Sequence, residues 1–428
     1  MGVSSGNQPS LTYQTDKAIP LTTEQMREAG SPVVLSLEQA LSLPYGTLRF
    51  VHLGWRVIRI ESTPVPGRTS NGDPNRYIGH PVAGEDRHSY YVAPNVGKEA
   101  ITLNLKEEDG RRALLRMIEE LEVDVFCTNT MPARHKELGI DYETLRSARK
   151  NLIWCSISAM GIDYPDVPRY DPVTQALCGF MDLTGEREGP PIQCGPPLTD
   201  LKSGDEVFAQ VLLAMLERER TGRGKLIDVS LAHSAVSWLQ TFTPLLDMGS
   251  SPAELRRNGN KHRQFIPVNA YPTTDGFIYI AIGSDAQWSR LIAQPMFEKL
   301  DQSRFRTNEG RRSAQDDLHA EIGELTSLHH TGNVAEALED ASIPHSRITP
   351  IEDVPGLPFV EQSALQTVAP DGRVIRLPPP AVPVSHLEAI DRTLPFPPGY
   401  GEHTDAVLTE AGFSADELES LRARGVIV

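Results

Sequence analysis

The chain has 428 residues and a formal net charge of -16. That balance argues against a nucleic-acid partner, which needs a basic stripe, and the length allows two or three domains with a core large enough for an enzyme. No apolar run approaches the ~20 residues of a membrane span, so no membrane partner is expected.

The four cysteines are Cys127, Cys155, Cys178 and Cys194. They show neither a CxxC spacing nor a zinc-type Cys and His pattern, which predicts free thiols, a reducing cytoplasmic setting and no metal. The N-terminus lacks an apolar signal core, and residues 1–30 read as a polar arm.

After the arm, residues 37–48 look helical and lead into "GWRVIRIE", where Ile58 and Ile60 alternate with charged residues as in a strand. The Pro- and Gly-rich stretch that follows, Ser62 to His88, reads as a long loop of the kind that often carries function. "ITLNL" is the next strand. "EEDGRRALLRMIEELE" is a helix with Leu114, Met117, Ile118 and Leu121 on one face. "VDVFCTN" is a strand that stops at Asn129, and "NLIWCSIS" is another. "DEVFAQVLLAMLERER" carries a helical stripe, ended by "TGRG", and "KLIDVSL" alternates as a strand. Strands alternating with helices indicate βαβ units and a mostly parallel sheet.

From about residue 225 the texture changes. "NAYPTTDGFIYIAIG" looks like a hairpin with Asp275-Gly276 at its turn. The final segment reads as two short helices, with Ser414 and Glu417 as a capping box. The expected architecture is α/β. A large Rossmann-like domain with a mostly parallel sheet spans 31–224, a smaller α+β domain spans 225–350, and a further stretch spans 351–428.

Familiar cofactor motifs are missing. The nearest match to GxGxxG, "GRGKLI", lacks the third Gly and follows a helix, so no nicotinamide cofactor is expected. No GxSxG elbow and no HExxH helix occur.

Asp200 opens the helix "DLKSGDEVFAQV". On physical grounds alone an acid there is a favoured helix cap, suited to the dipole. Several segments together resemble the class III CoA-transferases, a family that includes formyl-CoA transferase, carnitine CoA-transferase and α-methylacyl-CoA racemase. They are "LPYGTLRFVHLGWRVIRIE", "NVGKEAITLNL", "VFCTNTMPARHKELGIDYETLRSARKNLIWCSIS", "YDPVTQALCGFMDLTGEREGPP", the Asp200 helix and the C-terminal stretch.

The resemblance implies an enzyme that moves coenzyme A from an acyl-CoA, with succinyl-CoA a common donor, to a small carboxylic acid. In that chemistry Asp200 is the nucleophile, passing through an aspartyl anhydride and an aspartyl-CoA thioester. The resemblance places Lys98, Asn129, Arg134, Lys136, Tyr170 and Asp171 at the CoA site. It also implies that residues 351–428 return to the large domain, and a dimer whose two chains interlock, either a homodimer or a heteromer with a paralogous subunit.

Departures are visible at Leu41, Ser62 and Glu137, where the family pattern carries other residues. They keep open a non-catalytic or partly degenerate subunit as the alternative. A racemase is disfavoured because Tyr170 stands where the racemase pattern has His. The basic cluster Arg256, Arg257, Lys261, His262 and Arg263 is expected to help hold an acidic substrate or the CoA phosphates, with a solvated loop as the alternative.

Overall fold

The computed structural model describes residues 30–428 except Pro66, Arg68, Thr69 and Arg169. The arm expected over residues 1–30 lies outside the described residues, Gly30 apart. The chain divides into two compact units. The larger takes the described residues up to Cys178, then Cys194–Thr241 and Pro358–Val428; the smaller takes Gly179–Gln193 and Phe242–Leu357.

The larger unit is built on six strands: β1 (Val33–Leu37), β2 (Arg56–Glu61), β3 (Glu99–Thr102), β4 (Val125–Thr128), β5 (Ile153–Ser158) and β6 (Lys225–Ser230). Their order is β3-β2-β1-β4-β5-β6 and every pairing is parallel. The chain direction across the sheet reverses between β1 and β4. In open parallel sheets a crevice forms there, beyond the strand C-termini.

Successive residues feed opposite faces. Val34, Val57, Val125 and Ile153 join one buried cluster; Leu35, Ile58, Phe126 and Trp154 join the other. Because helices cover both faces, the central strands β1, β4 and β5 read as apolar runs rather than as clean alternation.

Helix α1 (Ser42–His52) supplies Leu43, Phe50 and Val51 to the first cluster. Helices α2 (Glu108–Glu120), α3 (Tyr142–Ala148) and α4 (Asp171–Leu177) follow, then the long α5 (Leu198–Thr221), whose Val207, Val211 and Ala214 complete that face. The opposite face is covered by α2 and α3, and by two short C-terminal helices that contribute Val407, Leu408, Leu418 and Leu421. The Ser414–Glu417 capping box forms as expected.

Two local expectations are corrected. Val33–Leu37 is a strand, and the helix expected over 37–48 begins only at Ser42. The residues between them form a turn in which Ala40 has φ 61°, a left-handed conformation that no helix admits. The long loop after β2 contains a 3-10 turn, Pro74–Tyr77, and a two-rung hairpin pairing Pro81–Ala83 with Arg87–His88.

The smaller unit is α+β. Strands β7 (Val268–Thr273), β8 (Gly276–Ala281) and β9 (His345–Arg347) form an antiparallel sheet in the order β9-β8-β7; the expected hairpin forms, but it turns through Thr274 and Asp275, one residue earlier than expected, and Gly276 pairs with Thr273. Helices α6 (Gln315–Thr326) and α7 (Thr331–Asp340) pack Ile322 and Leu338 onto a core with Trp288, Phe297 and Phe305. Among the described residues no helix is long and apolar enough to cross a membrane.

Candidate active site

Helix α1 leaves the C-terminal end of β1, and α5 ends where β6 begins. The two helices therefore run in the same direction along one face of the sheet. Their contacts advance together: Gly46 meets Gly204, Arg49 pairs with Asp205, and the rings of Phe50 and Phe208 lie 5.5 Å apart.

The crossing depends on two glycines. A Cβ on Gly204 would lie 2.7 Å from the Ser42 carbonyl oxygen, and one on Gly46 would lie 2.9 Å from the Gly204 carbonyl oxygen. The glycine of "DLKSG" is thus explained by close helix approach. Asp200 stands one helical turn before that contact, level with the turn that joins β1 to α1, at the end of the sheet where the strands finish.

Asp200 is not the cap of α5. That work is done by Asp171, the first residue of α4. Asp171 Oδ1 accepts from the Thr199 N–H at 2.7 Å, the Thr199 hydroxyl at 2.6 Å and the Asp200 N–H at 3.3 Å. Its Oδ2 accepts from Gln175 Nε2 at 2.6 Å, and Gln175 Oε1 in turn accepts from the Cys194 N–H at 2.9 Å. Asp171 and Gln175 are both buried. With the N-terminal dipole served by another residue, the Asp200 carboxyl is left with no hydrogen bond or ion pair among the described residues. Burial, and then the charge of Asp171, push its pKa up to about 7.

The remaining expected site residues fall into three groups. Asn129 follows β4, and its side-chain amide grips the main chain of Gln39. Its Oδ1 accepts from the Gln39 N–H at 3.1 Å, and its Nδ2 donates to the Gln39 oxygen at 2.7 Å. Lys98 is buried. Its ammonium donates to Glu38 Oε1 at 2.7 Å, to the Pro44 oxygen and Thr47 Oγ1 at 2.8 Å each, and to Asn95 Oδ1 at 3.2 Å. Those acceptors use all three of its protons, so it has none left for a phosphate. Glu38 also accepts from Ser36 and Thr47. Burial alone would raise its pKa, but Lys98 and Arg59 hold it below the ordinary carboxylate value.

Arg134, Lys136 and Tyr170 remain available to a ligand. Arg134 has only a loose pairing with Glu137 at 3.7 Å, and Lys136 is exposed without an ion pair among the described residues. Tyr170 is 76% exposed and immediately precedes the capping Asp171.

In the smaller unit the basic cluster is largely engaged. Arg257 donates to the Gly189 oxygen, Arg263 to the oxygens of Glu254, Leu255 and Arg256, and Lys261 pairs with Asp316 at 3.1 Å. A cleft of about 960 Å³ in the larger unit is lined by Trp55, Arg56, His386 and His403. It opens where the strands begin, at the end of the sheet remote from Asp200.

Residues 32–404 match the model of CoA-transferase family III. The chain belongs to that family. Among family III relatives, the succinyl-CoA:glutarate CoA-transferase of Mus musculus is 29% identical over 408 residues, covering 92% of this chain and 89% of its own. The acetyl-CoA:oxalate CoA-transferase of Acetobacter aceti is 32% identical over 333 residues, covering 76% and 82%. The crystal structure of a CAIB/BAIF family protein from Brucella suis superposes with a TM-score of 0.77 at 28% identity, covering 89% of this chain and 98% of that one. This family III protein is therefore an enzyme of the CoA-transferase class, whose substrates are CoA thioesters and carboxylic acids.

Sequence reasoning passed over Glu38, Arg59, Asp73, Asn75 and Gln175. Each is polar and at least partly buried, and each serves the turns around Asp200. The signal for Asp73 and Asn75 was the clustering of Asn, Gly, Asp and Pro at Asn71–Asn75, which marks a turn without saying which backbone it holds.

Proposed function

We propose that Asp200 is the nucleophile of a CoA-transferase that works through enzyme-bound acyl groups. The Asp200 carboxylate attacks the thioester carbonyl of the donor acyl-CoA. The C–S bond breaks, giving a mixed anhydride and the CoA thiolate. The thiolate then attacks the aspartyl carbonyl, the donor acid leaves as its carboxylate, and an aspartyl-CoA thioester remains. The acceptor carboxylate attacks that thioester and expels the thiolate, which takes the acceptor acyl group from the second anhydride and frees Asp200. Each step exchanges one acyl bond for another and needs no redox partner.

One observation carries this reading. The acid at the start of α5 is relieved of capping by Asp171, and its carboxyl has no hydrogen bond or ion pair among the described residues. A carboxylate with a pKa near neutrality is also a better nucleophile than an ordinary one, while still substantially ionised at physiological pH. The relatives, a succinyl-CoA:glutarate and an acetyl-CoA:oxalate CoA-transferase, support a short dicarboxylate as acceptor and a small acyl-CoA, succinyl-CoA among them, as donor. Lys136, and Arg134 with its loose tie to Glu137, are the cations assigned to the CoA phosphates, with Asn129 and Tyr170 beside the acyl arm; Lys98 braces the site from inside. The working form is an interlocked dimer, homomeric or paired with a paralogue, in the cytoplasm.

The test is mass spectrometry after incubation with succinyl-CoA, then with hydroxylamine to convert an activated aspartyl ester to its hydroxamate. A +15 Da change, roughly, on the peptide holding Asp200 is expected, absent in Asp200→Ala. An unlabelled Asp200 in a preparation that transfers CoA would overturn the assignment.

A further inference from the structure

The turn between β1 and α1, Glu38 to Leu41, lies level with Asp200 and is shaped almost entirely by side chains from elsewhere. The Ala40 N–H donates to Asp73 Oδ1 at 3.1 Å, and the Ala40 oxygen accepts from Asn75 Nδ2 at 3.1 Å. Asn129 holds both main-chain groups of Gln39, and Arg59 Nη2 reaches the Glu38 oxygen at 3.4 Å. Ala40 itself sits at φ 61°, where an alanine stays only if its surroundings hold it. Asp73 is 2% exposed, its Oδ2 accepts from Arg59 Nη2 at 2.9 Å, and Arg59 is fully buried. The loop carrying Asp73 is otherwise absent from the chemistry described above.

We propose that Asp73 is a positioning residue: by holding Ala40 in the left-handed conformation, it fixes the start of α1 against Asp200 and so sets the approach of the thioester to the nucleophile. The proposal rests on Asp200 being that nucleophile. Misplacement of a reacting group by about 1 Å is enough to lower a rate ~100-fold while leaving substrate binding nearly intact. Release of Ala40 is a displacement of that kind.

The test compares Asp73→Asn, Asn75→Ala and Ala40→Val, and then adds Ala40→Gly to each of the first two. Activity is expressed per Asp200 that takes the hydroxylamine label, so unfolded protein does not count. Asp73→Asn is expected to lower kcat roughly 10- to 100-fold with KM within about twofold. Asn75→Ala, which strands no buried charge, is expected to lower kcat about threefold to tenfold, and Ala40→Val to act in the same direction.

Glycine occupies the left-handed region freely, so Ala40→Gly should restore most of the lost kcat in both backgrounds. A residue that only stabilises the fold would lower the melting temperature and the labelled fraction, without changing kcat per labelled site and without responding to the glycine. Unchanged kcat per site in Asn75→Ala and Ala40→Val, or double variants as slow as their parents, would overturn the inference even if Asp73→Asn fails to fold. No label in the unaltered protein would instead sink the nucleophile reading beneath it.

Discussion

A carboxyl whose pKa stands at about 7 is populated in both forms at neutral pH. Only the ionised form attacks a thioester, so kcat/KM is expected to climb with pH and level off above about 7. Asp171→Asn removes the second cause of the shift, the neighbouring charge, and keeps the first, burial. Its profile should therefore turn at a lower pH than the unaltered enzyme's but above the ordinary 3.8 of Asp. The pH profile of both proteins checks this; a turning point that does not move, or moves upward, contradicts the role given to Asp171.

The same group has a consequence for stability. Between pH 3.8 and about 7 the folded chain keeps a proton on Asp200 that the unfolded chain has lost. Stability present at low pH is therefore given up as pH rises through that window. Asp200→Asn, which cannot ionise, should be more stable than the unaltered protein at pH 8, on the order of 2–4 kcal/mol. The gap should close near pH 4. Thermal unfolding at the two pH values decides it.

At the scale of elements, the α1–α5 crossing and the buried ion pair beside it are the parts most open to damage. Gly204→Ala places a methyl 2.7 Å from the Ser42 oxygen and from a Tyr45 ring carbon, and 3.1 Å from the Gly46 nitrogen. The helices must separate, at about 1–3 kcal/mol in urea unfolding, and activity should fall because Asp200 rides on the displaced turn. Lys98→Ala leaves Glu38 buried without its counter-ion and should destabilise by roughly 3–5 kcal/mol. By contrast, Arg134→Ala and Lys136→Ala should leave the melting temperature unchanged and raise the KM for the CoA thioester, measured in the same assay.

These elements also show what could be read in advance. The stripe Val207, Phe208, Val211, Leu212 and Met215 made α5 legible, and the apolar runs made β4 and β5 legible, because each follows one period over its length. β1 has only five residues, too short to show a period of its own, so it stays unassigned in the sequence and the helix after it is expected from its last residue, Leu37. Ala40 marks the break, yet an alanine carries no turn signal; its conformation comes from Asp73 and Asn75, more than thirty positions away. Asp171 was legible as a site residue, but its capping of a helix from another element was not, since spacing along the chain says nothing about which N–H groups lie opposite. Lys98 was placed at the site by the resemblance alone, and only the fold shows Glu38 facing it.

In the whole molecule, three separated stretches of chain make one unit. Residues 179–193 and 242–357 form a unit of their own between them. The βαβ logic of the larger unit was visible along the sequence, whereas the return of the C-terminal stretch onto its sheet was visible only through resemblance. That return is tightly made. The Asn104 N–H donates to the Val426 oxygen at 2.8 Å, and Thr102 Oγ1 both accepts from the Val428 N–H at 2.9 Å and donates to its oxygen at 3.2 Å. Val426 and Ile427 are buried in the core. Removing residues 426–428 should therefore lower the melting temperature by several degrees, about 2–4 °C for each kcal/mol lost. A truncated chain that melts with the unaltered protein would show these contacts to be dispensable.

The stitching of Val428 to Thr102 bears on how the polypeptide matures in the cell. A ribosome emits the first five strands early, the sixth after the opening of the inserted unit, and the stretch that closes the seam after that unit. The inserted unit is fully synthesised once Leu357 has emerged, ahead of the stretch Pro358–Val428, and is free to settle first. Until the segment carrying Val407, Leu408, Leu418 and Leu421 has left the ribosome, the apolar face it covers stays exposed, so nascent chains stalled ahead of that segment should be the ones that chaperones hold.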